Sequence, residues 1–173
     1  AVELEEAILG GLMLEKDAVI EVIDILKPES FYKEEHVKLF QSILDLFSNN
    51  KAIDILTVTE QLRQNKTLDE VGGPAYLTQL TGRIASAAHI EFHARIVQQK
   101  YIQRELIRVS TEIQNKAFDE SIDVNDLLDF SEGELFNVAQ GNIKKEAAKM
   151  NALVKEAIGR IEDASKHDGG MVG

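Results

Sequence analysis

Between residues 87 and 117 the chain has neither glycine nor proline, and Ile90, Ala94, Val97, Tyr101 (or Ile102), Leu106, Val109 and Ile113 recur every three or four residues but for one step of five. That period marks one face of an α-helix. At ~1.5 Å per residue the stretch predicts a rod of roughly 45 Å. Such a rod outreaches a core built from the residues before it, so its far half needs another partner. The sequence supplies one directly. After a turn at 118–122, Asp123 can cap a second helix and Asp126 adds charge to its first turn. That helix carries Leu127, Leu128, Phe130 (or Ser131), Leu135, Val138 and Ala139, with Gly141 as its expected stop. Two helices joined by a short turn give an antiparallel hairpin, predicted over 87–141. A hairpin has two apolar faces and one internal seam, so its outer face should be buried by another chain. Ile102, Leu106, Val109, Leu128, Leu135 and Val138 are the candidates for that self-association.

The same period runs through the first 86 residues, which predicts a small helical head. Leu4, Ile8 and Leu12, joined by Leu9 and Met13, form the first stripe. Gly10 and Gly11 interrupt it at roughly 1 kcal/mol each against alanine, which points to close approach of a neighbouring helix. Asp17 is the expected cap of a second helix through Val19, Ile20, Val22, Ile23 and Leu26, stopped by Pro28. Phe31 and Tyr32 anchor a loop. A third helix is expected over 34–47, with Val37, Phe40, Leu44 and Phe47 buried and Asn49-Asn50 closing it. Thr57 and Glu60 suggest a capping box for the fourth helix. Gly72-Gly73-Pro74 punctuates the entry to a short fifth helix presenting Tyr76, Leu77 and Leu80.

Beyond Gly141, residues 142–150 read as a mobile basic linker. Residues 151–166 read as an isolated amphipathic helix with Leu153, Val154, Ala157, Ile158 and Ile161 on its apolar side. A lone helix of that length is marginal in water, so it is expected to dock on something else. Residues 167–173 read as the start of a loop, which suggests a fragment.

The chain is therefore expected to be all-α, and composition agrees. Hydrophobic residues make up 44% and charged residues 28% of the 173, which excludes wholesale disorder. No apolar run reaches the ~18–20 residues of a membrane span. The absence of cysteine excludes disulfides and thiolate metal sites, and with no export signal it points to the cytoplasm. The net charge of −11 opposes tight binding of nucleic acid. Residues 1–94 carry 16 acidic and 8 basic side chains, against 14 and 11 in residues 95–173, so at most weak single-strand contact is expected, and from the second part.

No constellation reads as catalytic. His89 and His93 lie four apart, but with no third ligand they complete no zinc site; a His-dependent metal enzyme is the weakest alternative. A calcium loop starting at Asp123 fails because Leu128 stands where glycine is required. Glu5 and Glu6 point about 100° apart on a helix, so they flank no substrate and are expected to favour the helix N-terminus. His36 and His167 read as ordinary surface or packing residues. Arg95, Lys100, Arg104 and Arg108 form a thin basic stripe, diluted by Glu105 and Glu112 and best read as a solvated face. There is no phosphate loop and no nucleophile arrangement.

Glu5-Glu6-Ala-Ile-Leu9-Gly10-Gly11-Leu-Met-Leu14 resembles the opening of the N-terminal domain of DnaB-type replicative DNA helicases. So do Pro28-Glu-Ser-Phe31-Tyr32 with His36, Ile53-Asp54, Val71-Gly72-Gly73 with Tyr76-Leu77, Ser86-Ala87-Ala88, Ala94-Arg95-Ile96-Val97 and Leu106-Ile107. The likeness runs in order along the whole chain, except that Ala1 stands directly before the first helix with no upstream arm. The resemblance implies a helical head, a hairpin and a linker helix, followed by an ATP- and Mg-dependent motor expected beyond residue 173. This chain is thus expected to hold no cofactor and no enzymatic activity of its own. It further implies dimerisation through hairpins, a trimer of dimers in the full ring, and a linker helix docked on the motor domain of a neighbouring subunit. Primase, through its C-terminal domain, is the implied partner at Tyr76, Ile107 and Ile113, and a helicase loader is a further one. The alternative is a free-standing helical adaptor for a regulatory protein.

Overall fold

The computed structural model describes the backbone of residues 1–84 and 87–172, with side chains except those of 141–149 and 167–172. Among the described residues it is all-helical, as the three-and-four spacing requires. The order is α1 (Val2–Leu14), α2 (Ala18–Val22), a 3-10 turn (Pro28–Ser30), α3 (Glu34–Ser48), α4 (Ile55–Gln64), α5 (Gly73–Gly82), α6 (Ile90–Ala117) and α7 (Val124–Val172). These elements form two units, residues 1–107 and 108–173.

In the first unit α1 packs on α5 and α3, and α4 on α3 and α5. The core is Ile8, Leu9 and Leu12 of α1, Leu39, Phe40 and Ile43 of α3, Val58 and Leu62 of α4, and Leu77 and Leu80 of α5. Each such side chain contributes about 1.5–3 kcal/mol on burial. Ile90, Ala94 and Val97 of α6 complete that core. The expected boundary at residue 86 is therefore displaced: the first turns of α6 belong to the head because their apolar stripe is buried in it.

Gly10 and Gly11 have the steric role expected of them. A Cβ on Gly10 would stand 2.5 Å from the Leu80 carbonyl oxygen, and one on Gly11 3.1 Å from the Ala87 Cβ. Gly72 (φ 107°) and Gly73 (φ 73°) adopt left-handed backbone at the entry to α5, where a side chain would be strained.

Several local expectations are corrected. The buried side of α3 is His36, Leu39, Phe40, Ile43 and Leu46, with Val37 and Leu44 only partly buried and Phe47 exposed. The capping box of α4 is formed by Asp54 and Thr57: the Asp54 carboxylate accepts from the Leu56 and Thr57 N–H groups, both at 2.9 Å, and Thr57 Oγ1 accepts from the Asp54 N–H. Aspartate outranks threonine as a cap, which moves the start of α4 ahead of Thr57 and leaves Glu60 to pair with Arg63. Asp17 precedes α2 without a side-chain cap bond, and α2 ends at Val22.

In the second unit, Arg108 approaches Glu134 at 3.5 Å and the Lys116 Nζ lies 4.6 Å from the centre of the Phe130 ring, so α6 and α7 run antiparallel as expected. Asp123 caps α7 through the Asn125 N–H at 3.1 Å. The stop predicted at Gly141 does not occur. The backbone of α7 is one helix of 49 residues, through the span expected as a linker (142–150) and into that expected as a loop (167–173). One glycine costs a helix only about 1 kcal/mol, and the Lys-Lys-Glu-Ala-Ala-Lys run that follows consists of strong helix formers. The side chains of 141–149 and 167–172, with that of His167, lie outside the described residues.

Candidate docking surface

Val109 is wholly buried, whereas Ile107, two positions earlier, is 66% exposed. Two steps on a helix rotate a side chain by about 200°, so the two point to opposite sides of α6. Val109, a candidate for self-association, is thereby corrected: it is already covered within its own chain and offers no surface to a second one. Ile113 lies four residues from Val109, on the same side, and is half-buried. Of the remaining candidates, Leu106, Leu128 and Leu135 are exposed, while Ile102 and Val138 are half-buried. Phe118 (85% exposed), Val124 and Phe136 add apolar surface that the spacing argument did not select. Leu153, Val154, Ala157, Ile158 and Ile161 are all exposed on α7. Large exposed apolar side chains in such numbers mark a surface made to be covered.

Tyr76 of α5 is half-buried at the end of a buried polar chain that sequence reasoning missed. Glu5 and His36 are both fully buried. The Glu5 carboxylate meets His36 Nδ1 at 2.7 Å, and His36 Nε2 meets the Tyr76 hydroxyl at 2.7 Å. Glu5 Oε2 also accepts from the Tyr32 N–H at 2.8 Å. Glu5 lies in the first turn of α1, as expected, but it is buried there. It joins α1 to α3 and to the loop before it, and its burial is tolerated because both carboxylate oxygens are satisfied. His36 is a packing residue with both ring nitrogens engaged. Burial pushes the Tyr76 phenol up to about 12, with Glu6, Glu35 and Glu5 adding to the effect and Arg83 opposing it. The signal available in the sequence was the pair of a helical Glu5 and His36 near a tyrosine; nothing in their spacing brings them together.

Two of the four cations of the basic stripe are paired with carboxylates. Arg95 pairs with Glu91 at 2.8 Å and Arg108 with Glu112 at 2.7 Å. Arg104 donates to the Ser30 carbonyl at 3.0 Å and lies over the Tyr32 ring at 5.4 Å. His89 and His93 have ring centres 6.4 Å apart, and among the described residues no group of three His, Cys, Asp or Glu side chains could hold a metal. Among the described residues no helix is long and apolar enough to cross a membrane.

A helical head with a buried polar tie, and a helix pair with apolar side chains turned outward, define an all-α interaction domain. The chain belongs to the family described as the DnaB-like helicase N terminal domain, whose model matches residues 1–99. A replicative DNA helicase DnaB of Rhodothermus marinus is 42% identical over all 173 residues, and the chain spans 18% of that relative's length. A crystal structure of the N-terminal domain of DnaB helicase from Mycobacterium tuberculosis is 30% identical with a TM-score of 0.76, covering 79% of this chain and 96% of that one. A DnaB-like replicative helicase described with its interactions with primase shares the fold at 23% identity and a TM-score of 0.67, covering 82% of this chain and 31% of that one.

Proposed function

We propose that this chain is the N-terminal collar of a replicative DNA helicase, serving self-association and the docking of primase. The observation that carries the reading is the outward-facing Ile107 beside the buried Val109, on a helix whose hairpin presents further exposed apolar side chains. Family membership supplies the context, and a relative described with primase supplies the partner. In this reading the chain has no catalytic centre; ATP and Mg belong to the motor of the longer helicase, a cytoplasmic enzyme. The exposed apolar residues of 151–166 dock on the motor domain of a neighbouring subunit. A loader is a further partner, and single-stranded DNA is held weakly if at all, because Arg95 and Arg108 are paired and Arg104 is engaged.

Two measurements test the proposal. Light scattering of the chain reads self-association, which Leu135→Asp should weaken; a wild-type monomer at high micromolar concentration refutes that half. Calorimetric titration with the cognate primase C-terminal domain reads docking. Ile107→Ala should cost about 2 kcal/mol, near thirtyfold in affinity, with little change in melting temperature. Ile113→Ala should instead lower stability, as a seam residue does. Primase binding that is unchanged by both Tyr76→Ala and Ile107→Ala overturns the docking assignment.

A further inference from the structure

The chain Glu5–His36–Tyr76 fixes where protons sit, and this determines what Tyr76 shows to a partner. Glu5 Oε2 accepts the Tyr32 N–H at 2.8 Å, and Oε1 faces the Lys33 N–H at 3.5 Å as well as His36 Nδ1 at 2.7 Å. With N–H groups already directed at both carboxyl oxygens, the arrangement that satisfies every partner places the hydrogen of that 2.7 Å bond on Nδ1. In a neutral imidazole the other nitrogen then has a lone pair and no hydrogen. In that tautomer Nε2 accepts, and the Tyr76 hydroxyl, 2.7 Å away, donates inward. The imidazole and phenol rings lie within 8° of parallel.

We propose that Glu5 and His36 are positioning residues for Tyr76: they hold its hydroxyl hydrogen inward, so that the oxygen meets a docking partner as an acceptor and the partner must bring a donor. The inference rests on the reading that Tyr76 lies at the primase dock. The phenol's ionisation is displaced upward chiefly by burial, with Glu6 and Glu35 adding and Arg83 opposing, which keeps the hydroxyl protonated. A tyrosine free to rotate its hydrogen would accept from one partner and donate to another; this one is committed, which makes the hydroxyl a specificity element and not only an apolar anchor.

The test combines a spectroscopic signature with a pair of variants. With the chain's histidines labelled with nitrogen-15, His36 should show Nδ1 protonated and Nε2 as a hydrogen-bond acceptor at neutral pH. In Tyr76→Phe, Nδ1 should stay protonated while the Nε2 resonance moves toward the position of an unbonded acceptor nitrogen. Tyr76→Phe keeps the ring and should weaken binding of the primase C-terminal domain about tenfold. Tyr76→Ala, which removes the ring as well, should weaken it further. A protonated Nε2 in the wild type overturns the inference, because the phenol hydrogen would then point outward. It also fails if Tyr76→Ala weakens binding and Tyr76→Phe does not, in which case the dock stands and the hydroxyl is idle. If both variants and Ile107→Ala bind as wild type, the dock itself is wrong and the inference falls with it.

Discussion

Gly10→Ala sets helix propensity against packing, and the structure decides the sign. In an unencumbered helix the change gains about 1 kcal/mol. At Gly10 the new Cβ would lie 2.5 Å from the Leu80 carbonyl oxygen of α5 and would also meet the Ile84 side chain. Ordinary contact needs nearly 1 Å more, and a backbone oxygen cannot swing aside as a side chain can. Overpacking costs typically 1–3 kcal/mol, and an obstacle of backbone belongs at the upper end. The net is a loss of about 2 kcal/mol, or a fall in melting temperature of roughly 8–16 °C for a unit of this size. Gly11→Ala meets the Ala87 Cβ at 3.1 Å and the Ile90 side chain at 3.3 Å, with backbone no nearer than 3.6 Å, and should come out within about 1 kcal/mol of neutral. Gly133 in α7 has nothing within 4 Å of its position, so its alanine variant should gain up to about 1 kcal/mol. Thermal and urea unfolding followed by circular dichroism measure all three. A Gly10→Ala protein that melts at or above the wild type refutes the close-approach argument, because propensity alone would then account for the series.

Asp54→Ala should cost about 1 kcal/mol in urea unfolding, whereas Glu60→Ala, which removes only an exposed i,i+3 pair, should cost less than about 0.5 kcal/mol. Lys66 holds a left-handed φ of 60° just past the end of α4, so Lys66→Gly should raise stability by up to about 1 kcal/mol in the same assay. Tyr76 retains its proton more firmly when folded than when unfolded, so the stability it contributes is complete below pH ~10 and is lost as pH rises through about 12. An absorbance titration at the phenolate band should show a late step near pH 12 that Tyr76→Phe removes.

The helices were legible because each carries its own period and punctuation. Asn49-Asn50, Gly72-Gly73-Pro74 and Asp123 all act where expected: Asn50 takes a left-handed φ of 56°, the two glycines take positive φ, and Asp123 caps α7. The errors arise where two local rules compete. Asp54 and Thr57 were both able to cap, and the stronger one won. Gly141 promised a stop, but a stop needs more than one weak residue when the sequence beyond it favours helix. The stripe of α3 was misjudged because Phe47 is apolar enough to look buried, while His36 and Ser42, which are buried, are polar.

That last error explains why the polar tie in the head went unseen. Periodicity selects apolar residues, so a buried carboxylate and imidazole on different helices leave no mark in it. Their burial depends on a pairing across 31 residues that only the packed helices create. The outward surface was more accessible, since Ile107 stands off the stripe of Leu106, Val109 and Ile113 in the sequence itself. Even so, the stripe did not separate seam from surface: Val109 and Leu106 sit three residues apart on it, yet one is wholly buried and the other 41% exposed. A helical stripe is wider than the seam it forms, so its centre packs and its margin faces outward. Docking residues on a hairpin are therefore best sought outside the seam: at that margin, where Leu106 lies, and on the opposite side of the helix, where Ile107 lies.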